Sequence, residues 1–225
     1  MNIKNLAQKI TPSITGFNSQ QLNRKITEVE NFELDNIPLF FERLPIEERD
    51  KVYARLEKSS IKKIPLVHIR GDMDKEELDF FKRKYKTKYF TIHEEHFKIL
   101  QKWKGFYKDI YLEMNKDNLV KKNVIVEKIG GFCVDLSHFK SAEEKWSQEF
   151  IYTLERSDDK IFACNHLNGY SYQRNTDMHI INNLSDFNYL KTLPEFLFGE
   201  CIAIEADHSI AKQLEFKKYV LKILK

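Results

Sequence analysis

Short apolar runs recur along the chain, and each is followed by a stretch with helical character. The six clearest runs cover residues 65–68, 90–93, 110–113, 132–135, 162–166 and 202–205. They are only a few residues long and are mostly β-branched, aromatic or otherwise apolar, which is typical of strands buried on both faces of a parallel sheet. Two weaker strand candidates lie upstream, at residues 10–17 and 32–40.

Three of the intervening stretches, at residues 74–84, 145–156 and 209–224, have the periodicity of amphipathic helices. Their predicted buried side chains are Leu78 and Phe81 in the first, Trp146, Phe150 and Leu154 in the second, and Ile210, Leu214, Tyr219 and Leu221 in the third. Strands that alternate with helices indicate βαβ units and a parallel sheet.

Eight such units in 225 residues would average about 28 residues each. We therefore predict an α/β fold, a compact (β/α)8 TIM barrel with parallel strands and outer helices, formed as one domain by residues 1–225. A doubly wound open sheet is the alternative, but the sequence lacks the glycine-rich first turn that usually marks that fold.

Composition narrows the class of protein further. Hydrophobic residues make up 42% of the chain, enough for a core, and 37 basic residues against 34 acidic ones are too balanced to indicate a nucleic-acid-binding protein by themselves. Three cysteines without CxxC spacing argue against a disulfide framework and for a reducing compartment. With no apolar stretch of signal-peptide or membrane-span length, we expect a soluble, cytoplasmic protein.

Every one of the six clear runs ends in a potential metal ligand. In a barrel, the carboxyl ends of all strands meet at one face, so these side chains should converge there with three more from the following loops. The nine candidates are His68, His93, Glu113, Asp135, His138, His166, Asp177, His179 and Glu205. Imidazole and carboxylate ligands suit zinc, manganese or iron, and nine ligands are too many for one ion. Two or three clustered ions are what phosphodiester cleavage uses.

At each of the nine candidate positions, a purely structural role is the alternative to metal binding. A lone histidine at a strand end is more often a hydrogen-bonded structural residue, and a lone aspartate there can cap the following helix. The repetition at all six strand ends favours the metal site. His96 and His208 follow acidic residues where helices are expected to start, and we interpret them as surface residues, with a supporting contact to a metal ligand as the alternative for either.

At these positions the sequence resembles endonuclease IV, the apurinic/apyrimidinic endonuclease. Five segments carry the resemblance. Asp135-Leu136-Ser137-His138 resembles the D-x-x-H motif of that family, His166-Leu167-Asn168 its H-L-N, and Asp177-Met178-His179 its D-R-H. Leu112-Glu113-Met114-Asn115 resembles its I-E-N-T, and Ile204-Glu205-Ala206 its final I/L-E-T. His68 and His93 fall where that family places two earlier histidine ligands. The resemblance covers the chain from about residue 64 to its end.

The resemblance implies up to three metal ions, commonly zinc, with manganese possible. It assigns His68, His93 and Glu113 to the first ion, Glu113, Asp135, His166 and Glu205 to the second, and His138, Asp177 and His179 to the third. It further implies that a metal-bound hydroxide attacks phosphorus, with Glu113 and Glu205 as the catalytic carboxylates, so that DNA is cut 5′ to an abasic site. The expected partner is damaged double-stranded DNA, without a membrane or an organic cofactor, and the expected state is a monomer.

Sugar isomerases and epimerases of the same xylose-isomerase-like superfamily are one alternative, and a degenerate barrel that binds metal but has neither activity is another. The isomerases and epimerases resemble this chain at Glu113, Asp135, His138, His166 and Glu205 and use one or two divalent ions. The two early histidines and the Asp177–His179 pair favour the nuclease, because a sugar isomerase needs no third metal site.

Four residues near the expected mouth are candidates for DNA contacts, namely Arg70, Tyr170, Tyr172 and Arg174. Arginines can bind phosphate, and tyrosines can stack on a base or sugar. The alternative is that the segment around Tyr170 is a solvated loop whose tyrosines pack locally.

Overall fold

The protein's structure, a computed structural model, describes residues 3–113, 125–159 and 161–225. Of the segments that carry the resemblance, Met114 and Asn115 lie outside the described residues.

Six strands of the structure match the clear apolar runs closely, whereas the two upstream candidates, residues 10–17 and 32–40, form strands only at Ile10–Thr11 and Leu39–Phe40. The strands are β1 (Ile10–Thr11), β2 (Leu39–Phe40), β3 (Leu66–His68), β4 (Tyr89–Ile92), β5 (Ile110–Glu113), β6 (Gly131–Asp135), β7 (Phe162–Leu167), β8 (Gly169–Ser171), β9 (Thr176–Met178) and β10 (Cys201–Ile204). Eight of them form one sheet in the order β1-β10-β7-β6-β5-β4-β3-β2, and every pairing in it is parallel. Strands β8 and β9 pair separately as an antiparallel hairpin that the sequence pattern did not predict.

The eight-stranded sheet curls into a TIM-like half-barrel that a continuous ladder does not close. Its edge strands are β1 and β2, which are two residues long each. Among the described residues, one isolated parallel bridge joins these edges, between Ile14 and Leu39. There the Ile14 N–H donates to the Pro38 carbonyl at 2.9 Å, and the Phe40 N–H donates to the Ile14 carbonyl at 3.0 Å. The predicted α/β class and parallel sheet are thus confirmed, whereas closure is limited to this single contact.

Helices and 3₁₀ segments connect the strands. The α-helices are α1 (Ile3–Lys9), α2 (Ser19–Asn31), α3 (Ile46–Glu57), α4 (Lys75–Tyr85), α5 (Leu136–Glu144), α6 (Gln148–Glu155) and α7 (Ile210–Ile223). Helix α4 begins at a capping box formed by Asp74 and Glu77, and it buries Leu78 and Phe81 as predicted. After β4 the connection is a 3₁₀ helix, Glu94–Trp103.

The predicted apolar face of the second helix is wrong at its start. Helix α6 begins after Ser147, whose side chain accepts the N–H of Phe150, so Trp146 lies in the preceding turn at φ +50°. Trp146 is 75% exposed, and Leu154 is also exposed, while Phe150 is buried. The local N-cap, rather than the apolar spacing, sets where this helix begins.

The buried stripe of α7 is also shifted from the prediction. Its buried residues are Ile210, Gln213, Phe216 and Val220, and the predicted Leu214, Tyr219 and Leu221 pack beside them only partly buried. Gln213 replaces an apolar residue in this stripe because its amide bonds to the backbone of Ser13 at both ends.

Three free cysteines, Cys133, Cys164 and Cys201, lie buried inside the curl of the sheet. They pack in one cluster with Phe40, Leu66 and Ala203. None of the helices in the described part of the chain combines the length and the apolar character needed to cross a bilayer.

Candidate metal centre

Strand alternation places the predicted ligands above this apolar cluster. Side chains two residues apart on a strand point to the same face. Leu66, Cys133, Cys164 and Ala203 belong to the cluster inside the curl. The residues two positions further along the same strands are His68, Asp135, His166 and Glu205. The apolar interior therefore ends in a layer of ligand-type side chains at the carboxyl ends of the strands.

Glu113 lies at the centre of this layer. Its Oε2 atom is 3.3 Å from Nδ1 of His68, from Nε2 of His93 and from Nδ1 of His166. The Nδ1 atom of His166 is in turn 3.3 Å from Oε2 of Glu205. Side chains at the carboxyl ends of β3, β5 and β7, and one residue beyond β4 and β10, therefore converge on one point, as the sequence predicted.

Three overlapping groups of residues there can hold a metal ion. In each group, one ligand atom from every residue lies within 4.8 Å of the others. The groups are Glu42, His68 and His93; His68, Glu113 and His166; and Glu113, Asp135, His166 and Glu205. Six of the nine predicted ligands are thus brought together, and Glu42 joins them. We call the residues of these three groups the cage.

The remaining three predicted ligands lie at the edge of the cage. His138 Nε2 is 4.0 Å from an oxygen of Asp135 and from an oxygen of Asp177. Asp177 Oδ2 is 3.2 Å from His179 Nε2, and His179 Nδ1 is 3.8 Å from Oε1 of Glu205. His138, Asp177 and His179 form a chain of neighbours, but among the described residues they do not make up a group as compact as the other three.

Several buried polar atoms of the cage lack hydrogen bonds. Among the described residues, His68 Nε2, Glu113 Oε2, His166 Nδ1 and Glu205 Oε2 have no hydrogen-bond partner although they are shielded from solvent. An unsatisfied buried polar group costs roughly 1–3 kcal/mol, and more when it is charged. Bound cations would satisfy these atoms, so the residues present fit a metal centre.

Thr91 orients two of the imidazoles. Its hydroxyl oxygen is 2.9 Å from Nδ1 of His68 and 3.3 Å from Nε2 of His166. A hydroxyl oxygen has two lone pairs and can accept an N–H from each ring. Protonation of these nitrogens leaves Nε2 of His68 and Nδ1 of His166 as ligands, and these are two of the atoms without a hydrogen bond.

Asp135 has two roles in the site. Its Oδ1 accepts the N–H groups of Ser137 and His138, both at 2.9 Å, and therefore caps helix α5. Its Oδ2 accepts from the side-chain amide of Asn168 at 2.8 Å. The helix-cap interpretation thus holds for this residue, and Asp135 still contributes to the four-residue ligand group.

The charges of the cage are strongly coupled. Burial acts to raise the pKa of Glu113, but the imidazoles of His166 and His93 outweigh it and hold this pKa well below its usual range. Burial, reinforced by Glu113 and Asp135, raises the pKa of Glu205 to about 7 against the opposing effect of His166 and His179. Burial lowers the pKa of His68 well below its ordinary value, which keeps that imidazole neutral, the form that binds metal.

Two residues that are not among the nine predicted ligands lie in contact with members of that set. The sequence prediction omits Thr91 and Glu42 because it uses only the residue that ends each clear apolar run. A signal for both was available, because each continues the inward alternation of its strand: Thr91 is two residues before His93, and Glu42 is two residues after Phe40.

The interpretation of His96 and His208 as surface residues is wrong. Both are only partly exposed. The ring of His96 stacks on that of His93 with 6.0 Å between centroids. His208 Nε2 accepts the backbone N–H of Ile181 at 2.8 Å.

The predicted DNA-contacting residues divide between two cavities at the mouth. Tyr172 and Arg174 are exposed and, with His179, line a cleft of about 920 Å³. Tyr170 is buried and its hydroxyl donates to Asn175 at 2.6 Å, so its ring packs locally, as the alternative interpretation held. Arg70 lines a second cavity, of about 410 Å³.

One further cation borders the large cleft. Arg43 lies in a 2.9 Å ion pair with Asp207, and its guanidinium lies 4.7 Å from the ring centroid of Phe17.

Compared with models of known protein families and with curated proteins, the chain matches none. Its function therefore has to be argued from the site itself.

Proposed function

We propose that the protein is a metal-dependent phosphodiesterase resembling endonuclease IV, which cleaves DNA at apurinic/apyrimidinic sites. The observation that carries this proposal is the overlap of the ligand groups. His68, Glu113 and His166 each belong to two of them. A single zinc ion takes about four ligands, so overlapping groups favour ions placed side by side, as in enzymes that cleave phosphodiesters. The proposed fold is a complete (β/α)8 barrel of the xylose-isomerase-like superfamily.

Zinc is the proposed metal, with up to three ions, and manganese is the substitute to test. The cage would hold two ions, and His138, Asp177 and His179 would hold the third. Divalent ions in such a centre polarise the phosphoryl group and activate water. The protein supplies two imidazoles that contact Thr91, of which burial keeps that of His68 neutral, and carboxylates whose charge offsets that of the ions.

The 920 Å³ cleft is the proposed route for DNA. It reaches His179 at the edge of the cage and carries an exposed aromatic ring, Tyr172, together with the guanidinium groups of Arg43 and Arg174. Aromatic rings stack on unpaired bases, and arginines bind backbone phosphates. A flexible abasic nucleotide would thus be held beside the metal centre.

A sugar isomerase or epimerase is the second candidate. The group of Glu113, Asp135, His166 and Glu205 offers four ligands to one divalent ion without help from the other residues. Such an enzyme would work with that position alone, and His68, His93 and Asp177 would be dispensable for its activity.

Two assays distinguish the candidates. Purified protein is analysed for bound metal and incubated with a duplex that contains one abasic site, and separately with aldoses and ketoses. Two or three tightly held zinc ions and a nick at the abasic site are expected, with loss of both on Glu113→Gln and retention on Glu95→Gln, an exposed carboxylate near the same mouth. Sugar interconversion without nicking would overturn the proposal.

A further inference from the structure

Glu42 approaches the first ligand group from a strand that the family resemblance does not use. It lies two residues after Phe40, at the carboxyl end of β2. A carboxylate oxygen of Glu42 and one ring nitrogen each of His68 and His93 lie within 4.8 Å of one another. The ligand sets that the resemblance implies place no residue from β2 at any ion.

The local structure holds Glu42 at this position. Arg70, two residues after β3, donates from Nη1 to the backbone carbonyl of Glu42 at 3.4 Å, and Arg70 is itself paired with Asp72 at 3.2 Å. The side chain of Glu42 borders the small cavity that also contains His93 and His96.

The number of protein ligands distinguishes the site of the first ion from a catalytic site that keeps a coordination position open. Glu42, His68 and His93 give three ligands, and Glu113, which shares the neighbouring group with His68, has its Oε2 3.3 Å from Nε2 of His93 and is the candidate for a fourth. Structural zinc sites have four protein ligands, whereas catalytic sites keep one position open for water or substrate. His138, Asp177 and His179 supply only three, and His179 faces the large cleft.

We propose that Glu42 is a ligand of the ion held by His68 and His93, and that with Glu113 it completes that ion's coordination. The first ion is then a structural element of the cage, and the substrate is engaged on the side of His138, Asp177 and His179. This inference rests on the proposed function, because it assumes that ions occupy the cage.

The test compares wild-type protein with Glu42→Gln and Glu42→His, and with Glu95→Gln as the matched control. Bound metal is counted by elemental analysis after dialysis, and the visible spectrum of the Co²⁺-loaded protein reports coordination number. We expect Glu42→Gln to lose one ion, or to bind it at least tenfold more weakly, since even the loss of a group that supports a ligand typically costs roughly 10–100-fold. The intense absorption of four-coordinate Co²⁺ should fall in parallel and should recover in Glu42→His.

The possible results distinguish a failure of the proposed function from a failure of the proposed role of Glu42. A wild-type protein that retains no ion contradicts the proposed function. A wild-type protein that retains its ions, together with a Glu42→Gln variant of unchanged stoichiometry, affinity and cobalt spectrum, contradicts the role of Glu42 alone. Circular dichroism and thermal unfolding of each metal-free variant show whether a loss of metal comes from misfolding. If Glu42→Gln misfolds, the metal content and cobalt spectrum of Glu42→His test the role of Glu42 instead.

Discussion

The hydroxyl oxygen of Thr91 lies 2.9 Å from Nδ1 of His68, its register partner on the adjacent strand. The same oxygen is 3.3 Å from Nε2 of His166. One threonine thus contacts one nitrogen of each ring, while Nε2 of His68 and Nδ1 of His166 have no hydrogen bond. Loss of a group that holds a metal-ligating histidine in this way typically lowers metal affinity roughly 10–100-fold.

Substituting Thr91 should therefore weaken metal binding without removing a ligand. We expect Thr91→Val to bind zinc roughly 10–100-fold more weakly, because both rings lose their hydrogen-bond acceptor. The affinity is measured by competition with a chromophoric chelator. Thr91→Ser, which retains the hydroxyl, should bind nearly as wild type, and equal affinities for all three proteins would contradict the orienting role.

Asp177 and His179 should be essential for cleavage of DNA although they lie at the edge of the cage. Asp177→Ala or His179→Ala should abolish nicking of a duplex with one abasic site, because each removes one of the three ligands proposed for the third ion. A gel assay with a labelled duplex measures the rate. Full activity in either variant would remove the argument for a third ion.

Arg174 should affect DNA affinity and leave the metal centre unchanged. Arg174→Ala should weaken binding of an abasic duplex and reduce the slope of log K against log salt by about 1, as expected for the loss of one phosphate contact. Fluorescence anisotropy across a salt series measures this slope. Arg83→Ala, which removes an exposed arginine from helix α4, is the control and should leave the slope unchanged.

A buried lysine should give the fold a distinctive dependence on pH. Lys25 Nζ donates to Thr15 at 2.6 Å and to the carbonyl of Ala206 at 3.3 Å. Burial lowers its pKa from 10.5 to about 8, against the opposing effect of Asp207 and Glu28. Between pH 8 and 10.5 the unfolded chain then binds more protons than the folded protein, so this residue makes stability rise with pH in that window.

The comparison that isolates this effect is with Lys25→Met. From pH 7 to pH 10, urea unfolding should show the wild type gaining about 2 to 3 kcal/mol relative to the variant. The exposed Lys51→Met serves as control and should follow the wild type. Parallel stability curves for wild type and Lys25→Met would show that the pKa of Lys25 is not lowered.

The sequence predicts the parts of the site that depend on strand periodicity. His68, Glu113 and His166 end apolar runs, and parallel pairing brings such ends to one face of a sheet whatever the loops between them do. Six predicted ligands meet in the cage for this reason.

The sequence does less well where local hydrogen bonds or short strands decide the structure. Trp146 was assigned to a helix face, but the cap at Ser147 excludes it from α6. Glu42 is absent from the predicted ligands because it lies beyond the end of the weak apolar run, residues 32–40, of which only two residues form β2. The hydrogen bond of Tyr170 to Asn175 depends on the β8–β9 hairpin. The strands of this hairpin are short and partly polar, so the pattern of apolar residues does not predict it.

Anomalous diffraction at the zinc edge tests the central claim most directly. Crystals grown with zinc should show separate peaks within the cage, one near His68 and His93 and another near Glu113, Asp135, His166 and Glu205, with a third beside Asp177 and His179. A cage without anomalous peaks, in which the imidazoles and carboxylates bond only to one another, would contradict the account.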